Sequence, residues 1–280
     1  QDPAPGSGVQ VVQYRRQGTV PWLEGSAIHE NGSQGDGPYT YEYRASDVAG
    51  NISAVQTVTV QIDDSPPGQP GNVMVTPTAW VNTDGLFRVE WTNPDDLSGI
   101  WGGCYQLDLD PCSQGTAAAR CVVGQGIQSI NNISVGSAGA HSIYVWLNDG
   151  VGNSDPCMRG TPVTFTLRYD NIPPTYDPPL VQGPKKNDSE WYTGPVTITL
   201  TGRDAHSGVA ALCYQVEGGE VVCLNVPRQA NGIDGPLTAE RSFSLSYEGA
   251  RKTVEYWTRD VAGNESARGR FTLYFDVLAP

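Results

Sequence analysis

In the stretch Pro195–Asp204, Val196, Ile198 and Leu200 alternate with Thr197, Thr199 and Thr201. A period of two puts one set on each face of an extended chain, so this segment reads as a half-buried strand. The same alternation sets Tyr41/Tyr43, Ile143/Val145/Leu147 and Val254/Tyr256 on one face ahead of a Gly-Asn pair. "VTVQI", "FTLRY" and "FTLYF" alternate in the same way and run into prolines. Short strands, Gly- and Pro-rich turns and no long amphipathic segment predict an all-β chain of antiparallel sandwiches.

Three motifs recur in fixed order. Ser-Gly opens "SGVQVVQYR" at Ser7, "SGIWGGCYQ" at Ser98 and "SGVAALCYQ" at Ser207, each with an aligned Tyr (Tyr14, Tyr105, Tyr214). Asp-x-x-Gly-Asn follows as "SDVAGN", "NDGVGN" and "RDVAGN". An Asp then precedes proline in "IDDSPP", "YDNIPP" and "FDVLAP". The period is about 100 residues, the size of one small domain. Proline has no N–H to donate to a ladder, so each copy ends in a linker. The domains expected are 1–67, 68–174 and 175–280. Gly and Asn tolerate positive φ and Asp bonds nearby amides, so Asp-x-x-Gly-Asn is turn chemistry. In immunoglobulin lettering it joins strands F and G, and Ser-Gly opens strand C.

This ordered recurrence resembles the bacterial immunoglobulin-like tandem repeats of large cell-surface and secreted proteins. The resemblance spans nearly the whole chain and is clearest in residues 175–280. It implies an extracellular or cell-surface, secreted location and a structural, stalk or adhesion role, including that of a filament subunit. Such domains also serve as spacers beside hydrolases. The middle copy departs most, with Asp149-Gly150-Val151-Gly152-Asn153 and insertions, so its turn is expected to differ.

The first copy is short. About 25 to 30 residues precede Ser-Gly in the second and third copies, enough for strands A and B. Only "QDPAPG" precedes Ser7. The first sandwich is therefore expected to be incomplete, holding strands C to G and leaving the faces of Val9, Tyr41, Tyr43, Val58, Val60 and Ile62 to be covered by residues upstream in a parent chain, by strands donated from another polypeptide, or by a rearrangement.

Composition narrows the partners. Thirty acidic against 17 basic residues give a net charge of −13, which argues against nucleic acid as a partner. No apolar run approaches a membrane span, so no membrane insertion is expected. The six cysteines contain no Cys-x-x-Cys, and His29, His141 and His206 lie in different copies, which disfavours zinc. Cys213 and Cys223 flank a Gly-Gly hairpin, Cys104 and Cys121 occupy aligned places, and Cys112 and Cys157 lie in insertions. Disulfides Cys104–Cys121, Cys112–Cys157 and Cys213–Cys223 are therefore expected, in an oxidising compartment.

Candidate chemistry is sparse. No motif with catalytic mechanics occurs, and Asp204, His206 and Ser207 are neighbours only along one turn, so no enzyme is expected. Calcium is the cofactor to weigh: turns at one end of a sandwich would gather Asp95 and Asp96 with Asp149, and Asp204 with Asp260, near linker residues Asp63, Asp64 and Asp170. The alternative is solvated Asx turns. Alternation also turns Trp101, Tyr144 and Trp146 away from the core, with Trp257 a lesser counterpart. Such a patch serves a protein partner, self-association or a glycan, unless the loop containing Cys112 covers it. Asn-x-Ser sequons occur at Asn31, Asn51, Asn132, Asn187 and Asn264.

Overall fold

The computed structural model describes residue 4 and residues 6–29, 35–157, 162–185, 189–246 and 251–277. The sequons Asn31 and Asn187 lie outside them. The first repeat contributes β1 (Val9–Arg16), β2 (Leu23–Glu24), β3 (Gly37–Asp47) and β4 (Gln56–Ile62), in one sheet of order β2-β1-β3-β4. Tyr14 lies opposite Tyr43, Tyr41 opposite Val58 and Tyr39 opposite Val60, so one face is apolar. The other is polar, with Thr40 and Thr59 hydroxyls 2.9 Å apart and Arg15 and Arg44 stacked over Trp22.

The second repeat contains β5 (Gly71–Thr76), β6 (Phe87–Thr92), β7 (Ile100–Leu107), the helical turn α1 (Pro111–Gln114), β8 (Arg120–Val123), β9 (Ser129–Ile133), β10 (Gly139–Asp149) and β11 (Val163–Tyr169). Sheets β5-β6-β9 and β11-β10-β7-β8 face each other. Phe87, Val89 and Trp91 of β6 pack with Ile143, Val145 and Leu147 of β10 in one core. Gly103 makes room for this packing, since a Cβ there would lie 2.6 Å from the Trp91 ring.

The third repeat contains β12 (Thr175–Tyr176), β13 (Leu180–Gln182), β14 (Trp191–Tyr192), β15 (Val196–Arg203), β16 (Val209–Val216), β17 (Val221–Asn225), β18 (Thr238–Leu245), β19 (Arg251–Asp260) and β20 (Gly269–Phe275). The sheet β14-β20-β19-β16-β17 packs on β15, which pairs with β12, β13 and β18. The alternation that predicts β15 is its burial pattern: Val196, Ile198 and Leu200 are in the core and the threonines are not. The chain is thus an all-β tandem of immunoglobulin-like sandwiches. Among the described residues the first has no second sheet.

All six cysteines pair as expected. Cys104–Cys121 and Cys213–Cys223 join directly opposed residues of neighbouring strands, while Cys112–Cys157 ties α1 to the insertion after Asn153. Trp146 lies opposite Cys104, and Trp257 opposite Cys213.

Burial of the aligned faces sets the expected energetics. Ile198 is fully buried, whereas Val58 is 41% exposed. Ile198→Ala should destabilise the third repeat by about 2–5 kcal/mol, and Val58→Ala should change stability by less than about 1 kcal/mol. Urea unfolding curves of both variants check this.

Candidate functional site

The recurrent turn is built from one carboxylate. Asp149 Oδ1 accepts from the backbone N–H groups of Val151, Gly152 and Asn153 at 2.7–3.0 Å, and Oδ2 accepts from Asn153 Nδ2 at 2.7 Å. Asp260 holds Gly263 and Asn264 in the same way, and Asp47 holds Asn51. Gly50, Gly152 and Gly263 have φ of 88°, 99° and 97°, in the left-handed region glycine favours. The middle copy, whose sequence departs most, forms the same turn, because only the Asp carboxylate and the Gly-Asn pair build it.

Ser-Gly belongs to this unit. Ser7, Ser98 and Ser207 hydroxyls accept from the N–H groups of Ala49, Gly150 and Ala262 at 3.1–3.3 Å, fastening the start of strand C to the F–G turn. Gly208 has φ 84°, and a Cβ there would lie 2.2 Å from the Gly235 carbonyl oxygen. No substituent fits.

The turn also grips the preceding linker. Asn153 Nδ2 donates to the Asp63 carbonyl at 3.0 Å, and Asn264 Nδ2 to the Asp170 carbonyl at 2.8 Å. The linker carboxylates are held as well: Asp63 Oδ2 accepts from Ser98 N at 2.9 Å and Asp170 Oδ2 from Ser207 N at 3.1 Å. The B–C turn adds a third acid, Asp204, whose Oδ1 caps the N–H groups of His206 and Gly208. The result is two equivalent clusters, Asp63/Asp96/Asp149 and Asp170/Asp204/Asp260. Within each, one ligand oxygen per carboxylate lies within 4.8 Å of the others. Asp170, Asp204 and Asp260 are all buried.

Like charges without water should resist ionisation. Burial pushes Asp260 up to about 6 against the hydrogen bonds from Asn264, and the charges of Asp170 and Asp204 add to it. Burial also raises Asp204, and Asp170 reinforces it. Burial raises Asp96, with Asp63 and Asp149 behind it. Asp47 makes the same turn while only partly buried, and there the Asn51 hydrogen bonds lower its pKa.

Several expected site residues are placed differently. Asp95 is exposed and joins neither cluster; its place is taken by Asp63, which the next repeat draws in through Ser98 and Asn153. Trp101 is 48% exposed, but Trp146 is 6% exposed and does not join a surface patch. It lines a cavity of only about 20 Å³ with Pro67, Pro70, Asp155 and Pro156, so the linker and the Cys157 insertion close around it. Tyr144 is half-buried, and Trp257 is buried with the Arg268 guanidinium 3.9 Å above its ring. Asp204 and Ser207 bond backbone N–H groups rather than the His206 ring. Asn264 spends both side-chain N–H bonds on Asp260 and Asp170, leaving none for a glycan. One contact has no motif behind it: Trp80 Nε1 donates to Asp234 Oδ1 at 2.6 Å across the second joint.

No family model matches the chain, and no curated protein matches it. Among solved structures it is similar to the chicken CNTN1 FN1–FN3 domains, at 11% identity and a TM-score of 0.34, covering 94% of this chain and 88% of that one. It is also similar to the fibronectin(III)-like modules of Clostridium thermocellum CbhA, at 13% identity and a TM-score of 0.30, covering 72% and 93%.

The raised Asp260 has a defined consequence. Between about pH 4 and 6 the folded state holds a proton that the unfolded state has lost, so stability falls as pH rises through this window. In a chelating buffer the third repeat should be more stable at pH 5 than at pH 7, by about 1–1.5 kcal/mol. Asp260→Asn should flatten that slope in urea unfolding. Asp177, Glu255 and Glu265 of the same repeat, whose folded pKa is lowered by arginine partners, act in the opposite sense and chiefly below pH 5, so the comparison of pH 5 with pH 7 lies largely above them.

Proposed function

We propose that this chain is a non-catalytic structural or adhesive array of an extracellular or surface-displayed protein, whose repeats are set at fixed angles by cation-loaded joints. The observation that carries it is the linker clamp, made twice from the same four positions: a linker Asp, the Ser of Ser-Gly, and the Asp and Asn of the next F–G turn. A passive tether would leave its linker solvated. Here both the carbonyl and the carboxylate of each linker Asp belong to the following repeat. Three disulfides suit an oxidising compartment.

Calcium is the cation this chemistry favours, because it takes six to eight oxygens in flexible geometry. Asp63, Asp96 and Asp149 would hold one ion, and Asp170, Asp204 and Asp260 another. The ion would offset the burial and the like-charge repulsion that raise Asp260 and Asp96, and would compete with the proton. Calorimetric titration of the full chain should show binding. Calcium at about 100 times Kd should stabilise the chain by about 2.7 kcal/mol per site and abolish the stability gain at pH 5. No heat and no change in melting temperature would overturn the cation reading.

The rival reading is a carbohydrate-binding or spacer module of an extracellular hydrolase, and exposed Trp101 favours it, since an indole face stacks on a sugar ring. With Trp146 buried, the flat platform expected of paired tryptophans is reduced to one ring. Glycan-array binding that is lost in Trp101→Ala would favour this rival; self-assembly of the full chain without glycan would favour the structural array.

A further inference from the structure

Strand β10 begins opposite Tyr169, next to the linker residue Asp170, so its first residues lie at the pole of the second repeat that meets the third. His141 stands there on the same face as Ile143, Val145 and Leu147, and its side chain is only 12% exposed. Its Nδ1 lies 2.7 Å from Asp108 Oδ2, and its Nε2 lies 2.8 Å from the carbonyl oxygen of Ser137. A carboxylate and a carbonyl can only accept, and a neutral imidazole has a single N–H to give. Both contacts are hydrogen bonds only when the ring is an imidazolium.

The partners on either side are fixed in place. Asp108 follows β7 in left-handed backbone, with φ 59°, and its Oδ1 accepts from the N–H of Ser142 at 2.9 Å, which holds the carboxylate beside the ring. Ser137 belongs to the loop of residues 134–138, whose other end is held by Asp84. Oδ1 of Asp84 accepts from Val135 N at 2.9 Å, and Oδ2 accepts from Gly136 N at 3.0 Å and from the Ser134 hydroxyl. Asp84 lies between β5 and β6, in the segment that carries Trp80 to Asp234 of the third repeat. The loop is thus pinned at two points, and one of them is a ring that titrates near neutrality.

Neighbouring charge favours the cation. Burial by itself lowers the pKa of His141, but the hydrogen bonds to Asp108 and the Ser137 carbonyl, with the charges of Asp108 and Asp84, outweigh it and hold the ring above its ordinary value. Strands β7 and β9 carry no charged residue, Arg88 and Glu90 of β6 pair with each other, and Arg168 of β11 lies opposite Ala140 and reaches the Thr78 carbonyl. Apart from Asp149 at the far pole, the remaining titratable side chains of β7, β10 and β11 are the phenols of Tyr105, Tyr144 and Tyr169.

We propose that His141 is a proton-operated clasp: as an imidazolium it ties residues 134–138 to the end of β7, and loss of its Nε2 proton to solvent releases them. The Asp108 carboxylate keeps the Nδ1 proton, so the bond that breaks is the one to Ser137, where two lone pairs then face each other. Asp84 and Asp108 belong to neither carboxylate cluster, so the clasp is independent of the cation joints. The folded state holds this proton more tightly than the unfolded chain, whose histidines titrate near about 6.5. The clasp is therefore fully made in mild acid and is lost as pH rises through the folded pKa.

The test uses the full chain in chelating buffer, labelled with nitrogen-15 at its three histidines, His29, His141 and His206, whose signals His141→Gln assigns by removing one set. At pH 6 both His141 nitrogens should carry protons, the midpoint should lie above about 6.5, and the proton released should be that of Nε2. Asp108→Asn tolerates the left-handed backbone and keeps an acceptor, and it should lower the midpoint. Hydrogen exchange supplies the second readout. After correction for base catalysis, the amides of Val135 and Gly136 should open at least about tenfold more often at pH 8 than at pH 6, the effect of losing one charge-assisted bond, and His141→Gln should remove the difference. A midpoint at or below about 6.5, release from Nδ1, a midpoint unmoved by Asp108→Asn, or equal protection of Val135 and Gly136 at the two pH values would overturn the proposal.

Discussion

The docking of one repeat on the next turns first on the side-chain amides of Asn153 and Asn264. Each amide closes its own turn on an Asp carboxylate and, with its remaining N–H, holds the carbonyl of the preceding linker. Closing the F–G turn and docking the previous repeat are therefore one event. A residue that looks like turn punctuation is also the fastener between domains, which accounts for its presence at each joint in a single geometry.

Docking carries an electrostatic penalty that shapes the rest of the site. The Asp of the first repeat's turn is only partly buried and hydrogen bonds dominate its titration; its counterpart in the third is buried beside Asp170 and Asp204, and the balance reverses. The backbone around the two is the same. What differs is the exclusion of solvent and the neighbouring charge of the linker's Asp170 and the B–C turn's Asp204.

Most of the fold was legible in the sequence because its determinants are local. Alternation marked β15 and β10, proline marked the strand ends, and a ten-residue spacing across Gly-Gly placed Cys213 against Cys223. The carboxylate clusters were legible in outline, since the turns of one end of a sandwich must meet, but the partition was not. Asp95 and Asp96 are equivalent by sequence, and only the backbone path of the B–C turn turns Asp96 inward. Asp63, Asp64 and Asp170 were expected near the turns from their fixed place before proline; Asp63 and Asp170 join the clusters, and exposed Asp64 does not. The burial of Trp146 depends on two segments, 67–70 and 155–156, that periodicity does not address. The Trp80–Asp234 bond joins residues 154 apart with no pattern linking them.

That last bond makes the two joints mechanically unequal. Among the described hydrogen bonds, tension along the chain is borne at the first joint by the clamp on Asp63, and at the second by the clamp on Asp170 together with the indole of Trp80. The clamp grips the last residues of one repeat and the first turn of the next, so load enters each sandwich at its pole and runs along its strands. Among the described hydrogen bonds the second joint is thus tied at one more point than the first, at Trp80 and Asp234, away from the linker itself.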